Sequence, residues 1–268
     1  MGATVDDQEQ GNTKIEARSY FVRHRNALMV RAEFSQLYVD YYLHLMELGE
    51  RPEPADDAML KDGLAALVLH LISKPWHQTV AWTLHFENPL LNLFVTGESL
   101  GEYVVGRVFS DNVKKKGREL FYSQVTSRRD PVRQSTVEIV GRDVFGAVEQ
   151  YYQQSEQLRA RLFRHSDEDI VMVSAQPECD LEWLEQLDED QMRTLDRTEE
   201  LSLLEQRLYR FYCGCSAERL FPALAPIAVR DGMDALFEGD SIIKAECPRC
   251  GAKFLISRDD LAAFLEQS

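Results

Sequence analysis

The chain has 268 residues, 44% of them hydrophobic, with 30 basic against 45 acidic side chains and a formal net charge of −15. That length supports a sizeable core in one large domain or two modest ones, and that charge repels nucleic acid and anionic lipid. The longest apolar run, Leu64 to Ile72, is far short of a membrane span. Residues 1–17 are polar, lack the basic start and apolar stretch of a signal peptide, and read as a disordered tail. A cytoplasmic, reducing setting is expected, where clustered thiols serve metal or redox chemistry more often than permanent disulfides.

Residues 18–175 read as a mixed α+β core domain. ALMVRAEF places Leu28, Val30, Ala32 and Phe34 on one face with period two, which predicts a half-buried strand. Met59 to Ser73 is apolar enough for a buried helix, ended by Pro75. TVAWTLHF and LLNLFVTG alternate on either side of a hairpin turn at Glu87 to Pro89. EYVVGRVFS, ELFYSQVTS and STVEIVG add strands, with the basic run Val113 to Arg118 as a charged turn between two of them. Val144, Val148, Tyr151, Ser155, Leu158 and Leu162 then fall at helical spacing, which predicts one amphipathic helix from Gly141 to Phe163. Strands followed by helices without regular alternation argue for α+β.

Residues 176–212 change character, with eleven acids against four arginines, a net of −7. Leu181, Leu184 and Leu187, then Leu201, Leu204 and Leu208, keep a thin apolar stripe at helical spacing. Helices so charged and so poor in apolar surface depend on a surface to dock on. The segment reads as an acidic helical linker.

Residues 213–268 hold four of the five cysteines in two close pairs, Cys213-Gly-Cys215 and Cys247-Pro-Arg-Cys250, separated by 31 residues. Close thiol pairs supply two corners each of a tetrahedral zinc site; Gly214 and Gly251 give the tight turns the backbone freedom they need. The tail has no histidine to complete a mixed site. Four buried free thiols, a static zinc staple and an oxidisable thiolate cage are the readings open at this point. Cys179 stands alone and reads as a passive thiol outside the site.

CGCSAERL, the long spacer and CPRCGAKF resemble the C-terminal zinc module of the heat shock protein 33 family, the redox-regulated holdase chaperones. YYQQSEQ (Tyr151 to Gln157) is similar to that family's aromatic-x-x-Ser-Glu-Gln helix, NPLLNLFV to its central hairpin and RNALMVRAEFS to its opening strand. The chain departs from the family at Phe86-Glu87-Asn88-Pro89, where the family turn is glycine-rich, and at Val132-Arg133-Gln134-Ser135. The resemblance implies an ATP-independent chaperone with one Zn2+ on Cys213, Cys215, Cys247 and Cys250 when reduced. On oxidation it implies disulfides within each close pair (Cys213 with Cys215, Cys247 with Cys250), loss of zinc and an unfolded linker. Its implied partners are unfolded or partly folded client proteins and, on oxidation, a second copy of the chain; neither nucleic acid nor membrane is expected.

Two other classes of function compete with this one. An enzyme is disfavoured because the chain has no phosphate-binding glycine loop and no G-x-S-x-G elbow, and its six histidines lack metal-ligand spacing. His70, inside an apolar helix, reads as a satisfied core residue, and Ser155-Glu156-Gln157 as a polar surface or cap. A constitutive, zinc-stapled protein-binding module without redox switching is the alternative that spacing alone leaves standing.

Overall fold

In the computed structural model, which describes residues 14–127 and 130–267, period-two alternation becomes strand where it was read. β1 (Ile15–Val22) and β2 (Ala27–Glu33) form an antiparallel pair, followed by α1 (Ser35–Leu48) and α2 (Pro54–Ile72). β1 begins inside the segment read as a tail, because Ile15 and Ala17 are buried core residues; residues 1–13 lie outside the described residues. α2 starts five residues earlier than its apolar run, with Pro54 suited to a first turn that has no use for its missing N–H. β3 (Gln78–Glu87) and β4 (Leu90–Glu98) make the expected hairpin, and β5 (Tyr103–Phe109), β6 (Leu120–Ser127) and β7 (Arg133–Glu138) follow. The basic run lies in the loop between β5 and β6.

The single helix expected over 141–163 is two elements. α3 (Val144–Tyr151) widens into a π-turn at Tyr152–Glu156 and stops where Gln157 takes a left-handed φ of 57°. Leu158 and Leu162 therefore do not continue its stripe. Leu162 belongs to β8 (Ala160–Arg164), a strand buried on both sides, which pairs with β9 (Asp169–Ala175).

The acidic segment is helical only in its first part. α4 (Leu181–Gln186), α5 (Glu189–Arg193) and α6 (Leu195–Thr198) are short, with Asp180 and Asp188 capping the first two. Leu201, Leu204 and Leu208 are not helical. They lie on β10 (Leu201–Phe211), which turns Arg207, Tyr209 and Phe211 inward and leaves Leu204 and Leu208 exposed. Charged residues at 205 and 207 disguise the period of two. Beyond β10 come a short turn, α7 (Phe221–Asp231), α8 (Met233–Phe237), the hairpin β11 (Ile242–Glu246) and β12 (Lys253–Ser257), and α9 (Arg258–Gln267).

The first ten strands form one sheet in the order β7-β6-β3-β4-β5-β10-β1-β2-β9-β8. β10 joins its halves, antiparallel to β1 along most of its length and parallel to β5 only at Arg210–Tyr103 and Phe211–Val104. One face is covered by α2, whose residues Gly63 to Ile72 are all buried. On the other face, Val22, Met29, Val171 and Val173 pack under Leu184, Leu187, Met192 and Leu195 of the acidic segment. The α+β architecture is thus a sheet with an apolar helix on one side and an acidic cover on the other. No helix among the described residues is long and apolar enough to cross a membrane.

Candidate metal centre

β10 runs straight into the first thiol pair. Cys213 and Cys215 follow its last residue by two and four positions, and Gly214 between them takes a φ of 61°, where a side chain would be strained. The second pair closes the β11–β12 hairpin. The Cys247 N–H donates to Ala252 O at 2.8 Å and the Gly251 N–H to Cys247 O at 2.9 Å, with Gly251 at a φ of 81°. The turn also aims the Ala252 N–H at the Cys250 sulfur, the kind of donor expected beside a thiolate.

The four Sγ atoms lie within 4.8 Å of one another. Cys213 Sγ is 3.7 Å from Cys247 Sγ, and Cys215 Sγ is 3.5 Å from Cys250 Sγ, so all are free thiols. A tetrahedron of sulfurs with metal–sulfur bonds of about 2.3 Å has edges of about 3.8 Å, so the spacing fits one ion. Cys247 and Cys250 are buried, and Cys213 and Cys215 half-buried. Three of the thiols are pulled in opposite directions. A hydrogen bond from Cys250 is the main cause that brings Cys213 down to about 5, working against burial and helped by the Arg249 charge. Burial pushes Cys215 up to about 12, and Cys250 is pushed up by its bond to Cys213 and by burial. A divalent cation would favour the thiolate form of the sulfurs that bind it.

The centre is packed into the main core. Cys250 shares a cleft wall with Gly106, Arg107 and Val108 of β5, beyond the two residues that β10 pairs. His44 Nε2 of α1 lies 3.1 Å from Cys250 O, and Phe211 packs at a tilt against Tyr41 and His44 with centroids 5.4 and 5.5 Å away. Arg107 of β5 pairs with Glu246, and Lys253 approaches Glu50 at 3.6 Å. A cleft of about 340 Å³ between α1 and β5 has Cys250 in its wall. Arg249 Nη2 donates to Cys213 O at 2.8 Å, and Arg219 Nη1 to Gly214 O at 2.5 Å.

A family model described as Hsp33 protein matches residues 121–257, just over half of the chain and inclusive of all four thiols. The chain belongs to the Hsp33 family, a family of chaperones. It is 24% identical over 273 residues to the 33 kDa chaperonin of Aliivibrio fischeri (strain MJ11), covering 90% of this chain and 93% of that one. Against the 33 kDa chaperonin of Proteus mirabilis (strain HI4320) identity is 24% over 286 residues, covering 93% and 96%. The crystal structure of the 33 kDa chaperonin (heat shock protein 33 homolog) from Thermotoga maritima shares the fold, with a TM-score of 0.70 at 12% identity, covering 94% of this chain and 98% of that one.

In this Hsp33 member Cys179 stays apart from the other thiols. It is half-buried at the start of the acidic cover, its N–H donates to Gln176 O at 3.0 Å, and burial pushes its thiol up. His70 is a core residue, 1% exposed, with Nδ1 2.8 Å from the Tyr152 hydroxyl; burial brings it down to about 3. Of Ser155-Glu156-Gln157, Gln157 is the exposed cap of the π-turn, as read, and Glu156 departs from the polar-surface reading. The π-turn carries Glu156 inward, where it accepts from Tyr151 Oη at 2.8 Å and Lys74 Nζ at 2.5 Å. Sequence reasoning missed the residues around the sulfurs, Tyr103, His44, Arg107 and Arg249. Only Arg249 carried a signal, its place between two ligand candidates.

Proposed function

We propose that this chain is an ATP-independent holdase in which Cys213, Cys215, Cys247 and Cys250 hold one Zn2+ in the reduced state. The observation that carries this reading is the placement of two oxidisable thiol pairs at one end of β10 and a weakly held acidic cover over an apolar sheet face at the other. Zn2+, when bound, keeps the four sulfurs as thiolates and supplies folding free energy that the small module lacks. Everything else falls to the protein's own residues.

Peroxide would oxidise each pair, two thiolates and two protons with one H2O2 giving one disulfide and two waters. The 3.7 and 3.5 Å contacts run between pairs, so proximity in the closed site does not choose the partners. Chain continuity does: once the module loosens, Cys213 stays tethered to Cys215, and Cys247 to Cys250, while the hairpin and the end of β10 drift apart. Neighbour disulfides are therefore the expected products. Module unfolding breaks the His44 contact to Cys250 O beside Phe211 and frees the chain that follows β10. The cover over Val22, Met29, Val171 and Val173 then opens and bares the apolar face to which unfolding clients, or a second copy, would bind. β10 itself resists, because Arg207 is 4% exposed and donates to Leu71 O at 2.8 Å and Ser99 Oγ at 3.0 Å.

The test is to measure zinc content and suppression of client aggregation before and after peroxide. Zinc loss together with new holdase activity is expected. Zinc retained after peroxide, with client binding unchanged, would leave the constitutive zinc-stapled binding module in its place.

A further inference from the structure

The residue between the knuckle cysteines, Arg249, does not point to solvent as a knuckle side chain is free to do. It is half-buried, and its Nη2 donates to the carbonyl of Cys213, in the other thiol pair, at 2.8 Å. The guanidinium is also within side-chain hydrogen-bonding reach of Tyr103 on β5 and of Cys247, and it lies close to the Cys213 sulfur. One side chain thus touches its own hairpin, the opposite thiol pair and a strand of the core. The strand keeps β4 on one edge and loses β10 from the other after Val104, and a few residues on Arg107 lies over the same turn, its guanidinium carbon 3.4 Å from where a Cβ on Gly251 would sit.

Four thiolates about one divalent cation sum to −2 in a site whose second pair is buried. Such a charge needs nearby positive groups, and groups in that position shape both affinity and placement.

We propose that Arg249 is a positioning residue that ties the two thiol pairs to each other and the sulfur centre to Tyr103 on the core, so that the negative charge of the centre helps to seat the module on β5. The inference rests on the metal reading above. It makes the joint between module and core sensitive to what the sulfurs hold, through a bond made by the knuckle itself.

The experiment uses the full reduced chain and two readouts: zinc affinity by chelator competition, and amide hydrogen exchange at residues 104–109 and 213–216. Arg249→Gln keeps a donor but loses the charge. It should weaken zinc about tenfold, within the range for residues that support metal ligands, and lower protection in both stretches. Arg249→Lys should recover most of the zinc affinity, and at high salt its advantage over Arg249→Gln should shrink. Tyr103→Phe, outside the module, should leave zinc affinity near that of the parent while protection at 104–109 falls. An Arg249→Gln protein with parental affinity and protection overturns the proposal. If that variant fails to fold its module, unchanged protection at 104–109 in Tyr103→Phe overturns it. A parent chain that binds no zinc sinks the metal reading, and Tyr103→Phe still decides the joint.

Discussion

The strands β1, β2 and β9 are covered on both faces, by α2 on one side and α4 to α6 on the other. α2 buries eleven of its 19 residues, including an unbroken run from Gly63 to Ile72. α4, α5 and α6 bury one residue each, Leu184, Met192 and Leu195, with Leu187 between them. The rest of that cover is held by polar contacts, Arg161 Nη1 donating to Glu185 O at 3.0 Å within α4 and the others at its ends. Arg25, in the β1–β2 turn, reaches Asp180 at 2.7 Å and Glu199 at 3.0 Å and lies 5.3 Å over the Trp183 ring. Arg23 pairs with Glu200 at 2.9 Å. One side is sealed by area and the other by a clasp. Burial of area is lost only with the fold, whereas a clasp can open while the strands beneath it stay paired.

The strongest way to break that contrast is at the metal centre. Cys250→Ser should abolish tight zinc binding and unfold residues 213–267, since a structural zinc contributes on the order of 10 kcal/mol to so small a unit. It should also loosen α4 to α6 while α2 keeps its protection. Metal analysis with hydrogen exchange checks this, and a variant that holds zinc undiminished contradicts it. Next in size is a pair of truncations. Leu67→Ala, at a position with no exposure, should lower global stability by about 2–5 kcal/mol in denaturant melts. Leu184→Ala, equally buried, should open the acidic cover and leave the core's midpoint close to that of the parent. Equal global losses would erase the distinction between the covers.

Smaller effects sharpen the clasp. Arg25→Ala removes two ion pairs and a cation–π contact at the surface, each worth about 1 kcal/mol or less. It should speed exchange in α4 to α6, slow no other region's exchange, and lower the peroxide dose for holdase activity. The smallest effect is that of pH. A hydrogen bond from the Trp183 N–H, then Arg25, holds the Asp180 carboxyl below its ordinary range. Its contribution is therefore complete above the usual carboxylate pKa of about 4 and is lost as pH falls through the depressed value. Exchange in α4 should rise below that range, and less so in Arg25→Ala.

The parts legible in the sequence were those governed by one period or one short motif. The β3–β4 hairpin, the apolar core of α2 and the convergence of two thiol pairs needed no tertiary information. The failures came where tertiary contacts override spacing. Leu201, Leu204 and Leu208 recur like a helix, yet Arg207 is drawn inward to Leu71 O and Tyr209 to Ser99, and the strand register wins. Leu162 sits one helical step beyond Leu158, but Gln157 reverses the chain between α3 and β8. No clean period marks α1, whose exposed Val39, Leu43 and Met46 blur the pattern of its buried side. The residues around the sulfurs were hidden because Tyr103, His44 and Arg107 meet the module only through the fold.

The central claim is that the acidic cover, and not the core, answers to the sulfur centre. Hydrogen exchange on the zinc-loaded reduced protein and on the peroxide-treated protein tests it most directly. Protection over residues 181–200 should collapse after oxidation while α2 and α3 keep theirs. Unchanged protection over 181–200 once zinc has gone would contradict the account.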